Sequence, residues 1–168
     1  MGWIGYLLTM AAGLGLGLSA AHRWRRRVTF LQRTGALLHT VRGRLGYSAL
    51  PMSELWRQLA LNEAFAAFPL VKYVTDGEEG SFSAALCAAV ERAEEEGDLL
   101  PAGRELLTAF ALDCGRLDRA RQEEQLLYYS DRVAALEMGL REEAAVKCRL
   151  YPLLGLSAGA ALCLLLWS

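Results

Sequence analysis

Charge is confined to the middle of this chain, and that constrains the fold more than any motif does. All 18 Lys and Arg and all 19 Asp and Glu residues lie between Arg23 and Arg149. Residues 1–21 and 151–168 are charge-free and mostly apolar. A bilayer core takes roughly 20 helical residues, with a range of about 17–25, so each end has the length of a membrane span. A helix buried in a protein core is the other home for such a stretch. It ordinarily keeps a polar side, and neither end has one. The sequence therefore predicts transmembrane helices over 1–21 and 151–168. The segment between them, 22–150, is long enough to build one core of its own. The net charge of −1 argues against a general nucleic-acid binder.

Ser19-Ala20-Ala21 resembles a signal-peptidase site. However, no basic residue precedes the apolar run. Arg23, Arg25, Arg26 and Arg27 follow it, an order that favours an uncleaved anchor. Basic residues beside span ends stay cytoplasmic. The arginine cluster and the pair Lys147 and Arg149 both flank the middle domain, which is expected to face the cytoplasm. His22, Trp24 and Tyr151, with Trp3 and Trp167 at the other ends, fall at the two interfaces, where aromatic belts form. Gly5, Thr9, Gly13, Gly17 and Ala21 recur every four residues on one helix face, as do Gly155, Gly159 and Cys163. Small residues let helix backbones approach closely. Gly13, Gly17, Gly155 and Gly159 are thus candidates for packing in an antiparallel hairpin or against other membrane subunits. The alternative is that glycine is simply common in membrane helices.

The middle segment reads as all-α. Helical spacing dominates and alternation of period two is scarce. Phe30, Thr34, Leu37, Val41 and Leu45 form one stripe, predicting a helix over about 28–45 that can continue straight out of the first span. Pro51 suits the first position of a new helix, because its missing N–H costs nothing there. Leu55 and Leu59 would face inward, with Trp56 beside them. Pro69 breaks the next apolar stretch, and Asp76-Gly77 marks a turn. Ser81 or Ser83 can cap a helix to about Glu96, ended by Gly97. Another helix follows Pro101, over 102–112. The last and longest spans 118–149, with Leu126, Tyr129, Val133, Leu136, Leu140 and Ala144 at three- and four-residue steps, and is interrupted at Pro152 before the second span.

Little catalytic chemistry is available. The histidines are His22 and His39, and Cys87, Cys114, Cys148 and Cys163 form no Cys-x-x-Cys pair, so zinc and redox motifs are unsupported. No Walker-type phosphate loop occurs, and Gly13-Leu-Gly-Leu-Gly17 sits inside an expected span. No cofactor is implied. A transporter would favour an acid within a span, and neither end holds one. Charge segregation is the stronger signal. His22–Arg57 holds eight bases and one acid; Gln58–Asp113 holds eleven acids and three bases. Glu91, Glu94, Glu95, Glu96 and Asp98 crowd one helix end. They form either a solvated face or a docking surface for a basic partner. The arginine-rich segment can meet anionic lipid heads.

The layout resembles a known family. The sequence Phe110-Ala-Leu-Asp-Cys-Gly115-Arg-Leu-Asp118-Arg-Ala-Arg-Gln122 leads into a long polar helix and then Tyr151-Pro-Leu-Leu-Gly155-Leu-Ser-Ala-Gly159. Gly115, Asp118, Gln122 and Gly155 match the pattern of stage III sporulation protein AB of spore-forming bacteria. Leu117 stands where that family often has Ser, and Leu86 where a Trp is common. The resemblance implies a component of the channel-like complex joining mother cell and forespore, akin to the inner-membrane platform of type II secretion and type IV pilus systems. It implies a hexameric secretion ATPase, stage III sporulation protein AA, and other channel subunits as partners, in the outer forespore membrane with the domain on the mother-cell side. Asp118 and Gln122, one turn apart, can face one neighbour; equally, Asp118 can serve the start of its helix. The expectation is a helical bundle flanked by two transmembrane helices: a platform and not an enzyme. The alternative is a membrane-tethered adaptor or sensor without an ATPase partner.

Overall fold

The computed structural model describes residues 2–47, 50–76, 81–114 and 119–167. Every regular element among them is α-helical: α1 Gly2–Tyr47, α2 Met52–Ala60, α3 Glu63–Ala66, α4 Pro69–Asp76, α5 Phe82–Glu95, α6 Pro101–Asp113 and α7 Arg119–Trp167. The chain divides into two compact units. Unit 1 is Met1–Val28 with Gly139–Ser168, and unit 2 is Thr29–Met138.

Unit 2 is a helical bundle whose helix ends follow from local chemistry. Pro51 is the N-cap of α2 and not its first residue: its extended backbone (φ −65°, ψ 154°) leaves its carbonyl to accept from Glu54 and Leu55. The Asn62 side chain accepts from the Ala64 N–H at 3.0 Å and starts α3. Pro69 opens α4 instead of breaking a stretch, since a first-turn residue needs no N–H partner. Ser81 caps α5 through the Ala84 N–H. Gly97, at φ +78°, ends it. The Gly97 N–H bonds to the Glu94 carbonyl and the Asp98 N–H to the Ala93 carbonyl, the paired bonds of a Schellman motif.

The stripe expected on α1 is the core. Phe30, Thr34, Leu37, Val41 and Leu45 are all buried, and so are Leu55, Trp56 and Leu59 of α2. Each fully buried large apolar side chain contributes about 1.5–3 kcal/mol. Phe30 packs on Phe68 with ring centroids 5.2 Å apart, Trp56 on Phe82 at 5.3 Å and Phe110 on Tyr129 at 5.2 Å. The Thr34 hydroxyl donates to the Phe30 carbonyl, so this buried polar group is satisfied. The Trp56 indole N–H finds no acceptor among the described residues.

Unit 1 pairs the first part of α1 with the last part of α7, running antiparallel. A Cβ at Gly13 would lie 2.5 Å from the Gly155 carbonyl oxygen, and one at Gly17 would lie 2.5 Å from that of Tyr151. The Cys148 thiol donates to the Ala21 carbonyl at 3.3 Å. The helix does not stop at Pro152, as expected from sequence, but runs through it. The cost is the backbone bond that Pro152 cannot donate.

Among the described residues, no helix is long and apolar enough to cross a membrane. The flanking transmembrane helices expected over 1–21 and 151–168 are therefore not supported by the structure. A crossing needs roughly 20 consecutive apolar helical residues, and no described helix offers that run.

Candidate partner-binding surface

The acidic cluster sits at the C-terminal end of α5, where the helix dipole disfavours negative charge by about 0.3–1 kcal/mol per group. The structure offsets part of this. The Glu94 carboxylate meets Arg104 of α6 at 3.2 Å. Glu96 accepts a hydrogen bond from the Tyr73 hydroxyl of α4 at 2.5 Å, and the Arg92 guanidinium lies 4.6 Å from the centre of the Tyr73 ring. The bond to Glu96, with burial second, raises the Tyr73 pKa above the usual phenol value. Asp98, expected on the same surface, is instead buried at 7 % exposure. The reversal of the chain at Gly97 turns it inward. Glu91 and Glu95 are exposed. The five acids thus divide: Glu94 and the exposed Glu96 engage neighbouring helices, Asp98 is buried, and Glu91 and Glu95 are exposed.

Gln122 lies elsewhere. It is half-buried early in α7 and lines a cavity of about 510 Å³ with Pro51, Ser81, Phe82 and Cys114. That cavity adjoins the start of α5, and the acids adjoin its end. At 1.5 Å per residue the 14-residue helix separates them by roughly 20 Å. Asp118 falls outside the described residues, so the structure does not join it to either place.

A second surface escaped the sequence reading. A groove of about 550 Å³ runs between α6 and α7, lined by Leu106, Ala109, Tyr128, Tyr129, Arg132 and Leu136. Tyr128 is 53 % exposed, with Arg132 lying 5.6 Å from its ring centre. Tyr129 is buried, and its hydroxyl donates to Asp113 at 2.7 Å. Burial first, then that bond, pushes its pKa well above the ordinary phenol value. The signal available was the Tyr128-Tyr129 pair: Tyr129 fits the core stripe, and its neighbour must then face away from it.

Chemistry is otherwise quiet. Burial, aided by Asp113, pushes the Cys114 thiol up to about 12, so it stays protonated and unreactive. Among the described residues, no group of three His, Cys, Asp or Glu side chains could hold a metal ion. The glycines of unit 1 make a different kind of site. Gly13, Gly17, Gly155 and Gly159 lie where the α1 and α7 backbones meet, with no room for side chains at Gly13, Gly17 and Gly155.

The family model described as stage III sporulation protein AB matches residues 2–167. No curated protein matches this chain, and no solved structure does.

Proposed function

We propose, from the fact that this chain belongs to the stage III sporulation protein AB family and hence has a role in sporulation, that it acts as a membrane-embedded platform. In that role its helical domain docks a secretion-type ATPase to the other subunits of the mother cell–forespore channel.

One observation carries the membrane part. In unit 1 the usual order of packing in water is inverted. Glycines occupy the seam between the helices, while Leu16 is 73 % exposed, Leu153 63 % and Leu154 58 %. Burying leucine drives helix association in water, whereas in lipid small residues pack inside and leucine meets the acyl chains. The charge-free ends agree with this, and the basic residues beside them favour a cytoplasmic middle domain on the mother-cell side.

For docking, the supporting feature is the exposed pair Glu91 and Glu95 on α5. Charge held against a helix dipole is relieved by a basic partner. Arg104 and Tyr73 already engage Glu94 and Glu96, so Glu91 and Glu95 define the expected contact better than the full cluster does.

Two measurements test the reading. Alkaline carbonate washing of membranes from sporulating cells should leave the protein in the pellet; release into the supernatant would overturn the membrane part. Affinity capture from detergent-solubilised membranes, read by mass spectrometry, should recover a secretion-type ATPase with channel subunits. Capture of a folded protein without the ATPase, even after mild crosslinking, would favour a membrane-tethered adaptor.

A further inference from the structure

Where the glycine seam of unit 1 ends, α1 and α7 together build a basic collar. Their register is set by the Cys148 thiol bonded to the Ala21 carbonyl at 3.3 Å. The segments 22–28 and 141–149 therefore lie side by side. They carry Arg23, Arg25, Arg26, Arg27, Arg141, Lys147 and Arg149 against Glu142 and Glu143 as the acids. At the centre is Trp24. The Lys147 ammonium lies 3.7 Å from the centre of its ring and the Arg27 guanidinium carbon 5.1 Å. A ring face attracts cations without consuming their hydrogen bonds. The Glu143 carboxylate holds the same ammonium at 2.6 Å. An ammonium has three N–H donors, so Lys147 is fixed in place with donor capacity remaining. Arg23, next to Trp24 in the chain, is exposed.

The depth of this collar matters as much as its charge. Leu18 on α1 and Leu153 on α7 are exposed, and the arginines begin five residues after Leu18. At 1.5 Å per residue that is roughly 7 Å along the helix, about the thickness of one headgroup layer. Tryptophan favours this depth too. We infer that the collar around Trp24 is a binding site for the phosphate of an anionic phospholipid, with Lys147 and Arg23 as its ligands. This rests on the membrane reading above, and adds to it a lipid class and a site shared by both helices.

The test uses the full-length protein in neutral detergent, mixed with phosphatidylglycerol and phosphatidylcholine, with retained lipid counted by native mass spectrometry. Phosphatidylglycerol should be retained in excess by on the order of tenfold. The R23Q/K147Q variant should retain the two lipids nearly equally while its helical circular dichroism stays unchanged. If that variant unfolds, raising the salt on the wild type serves instead, since screening should erode the preference. Inorganic phosphate should lower the preference no further than chloride at the same ionic strength. Equal retention by the wild type, or abolition by free phosphate where chloride at matched ionic strength leaves the preference, would overturn the lipid site. Carbonate washing separates the two ideas. Protein that stays in the pellet without lipid preference overturns this inference and leaves membrane embedding standing. Protein that is washed out overturns the embedding and this inference with it.

Discussion

A Cβ placed on Gly155 would fall on the carbonyl oxygen of Gly13, whereas one on Gly15, two residues further along the same helix, meets nothing within 4 Å. The two glycines therefore respond oppositely to substitution. Gly155→Leu should destabilise unit 1 by about 1–3 kcal/mol through overpacking. Gly15→Ala should be neutral or stabilise by up to about 1 kcal/mol, the difference in helix propensity. Melting of the detergent-purified protein, followed by circular dichroism, checks both. The buried titratable groups make a second prediction. The Cys114 thiol rises from an ordinary 9.0 to about 12, and the Tyr129 phenol also rises. The unfolded chain thus releases these protons first, and alkali favours unfolding. Their contribution is complete below about pH 9 and is lost as the pH climbs towards 12. Denaturant titrations at increasing pH should show this decline, and Cys114→Ala with Tyr129→Phe should flatten it. At neutral pH a maleimide should modify Cys114 only after unfolding.

α5 shows how one element carries two roles. Its start is capped by Ser81 and its end by the turn at Gly97. Gly97→Ala forces a methyl into the left-handed region and should cost about 1–2 kcal/mol, read as a lower midpoint in urea. Along the same helix, acids one residue apart differ in kind. Glu96→Lys removes the acceptor of the Tyr73 hydroxyl and sets a cation beside Arg92, so stability should fall. Glu95→Lys, at an exposed position in the last turn, relieves the dipole and should leave stability unchanged or raise it by about 0.3–1 kcal/mol. Urea midpoints of the two single variants decide this. A test of docking that reverses Glu94, Glu95 and Glu96 together would confuse lost packing with lost binding.

For the whole chain, the proposed platform role makes the surface of unit 2 and the seam of unit 1 separately testable. Glu91→Lys with Glu95→Lys should lower recovery of the ATPase in affinity capture several-fold, while leaving the melting midpoint no lower and the carbonate resistance of the protein unaltered. Undiminished recovery by the folded double variant would exclude the α5 surface and direct attention to the groove beside Tyr128. Gly155→Leu should do the reverse, weakening the helix pair without touching the charged surface.

Much of the architecture was legible in the sequence, because helix signals are local. The stripe from Phe30 to Leu45, the Ser81 cap, Gly97 and Pro101 each act within a turn of themselves. The glycines at spacing four likewise mark a face, since spacing alone sets which residues share it. What lay beyond reach depends on which groups meet across the chain. Nothing local distinguishes Glu94 and Glu96 from Glu95; Arg104 and Tyr73 do so, from neighbouring helices. Asp98 is buried because the backbone reverses at Gly97, although its charge reads as a surface residue. Pro152 remains inside α7 although its ring ordinarily ends or kinks a helix. Short α3 and α4 depended on Asn62 and Pro69 acting as helix starts, which composition does not separate from loop signals. Periodicity determined the helices and their inward faces, because it needs only the neighbouring turn. Pairing of charges, burial of Asp98 and the register of Gly13 on Gly155 were decided by the tertiary structure, because each requires a partner distant in sequence.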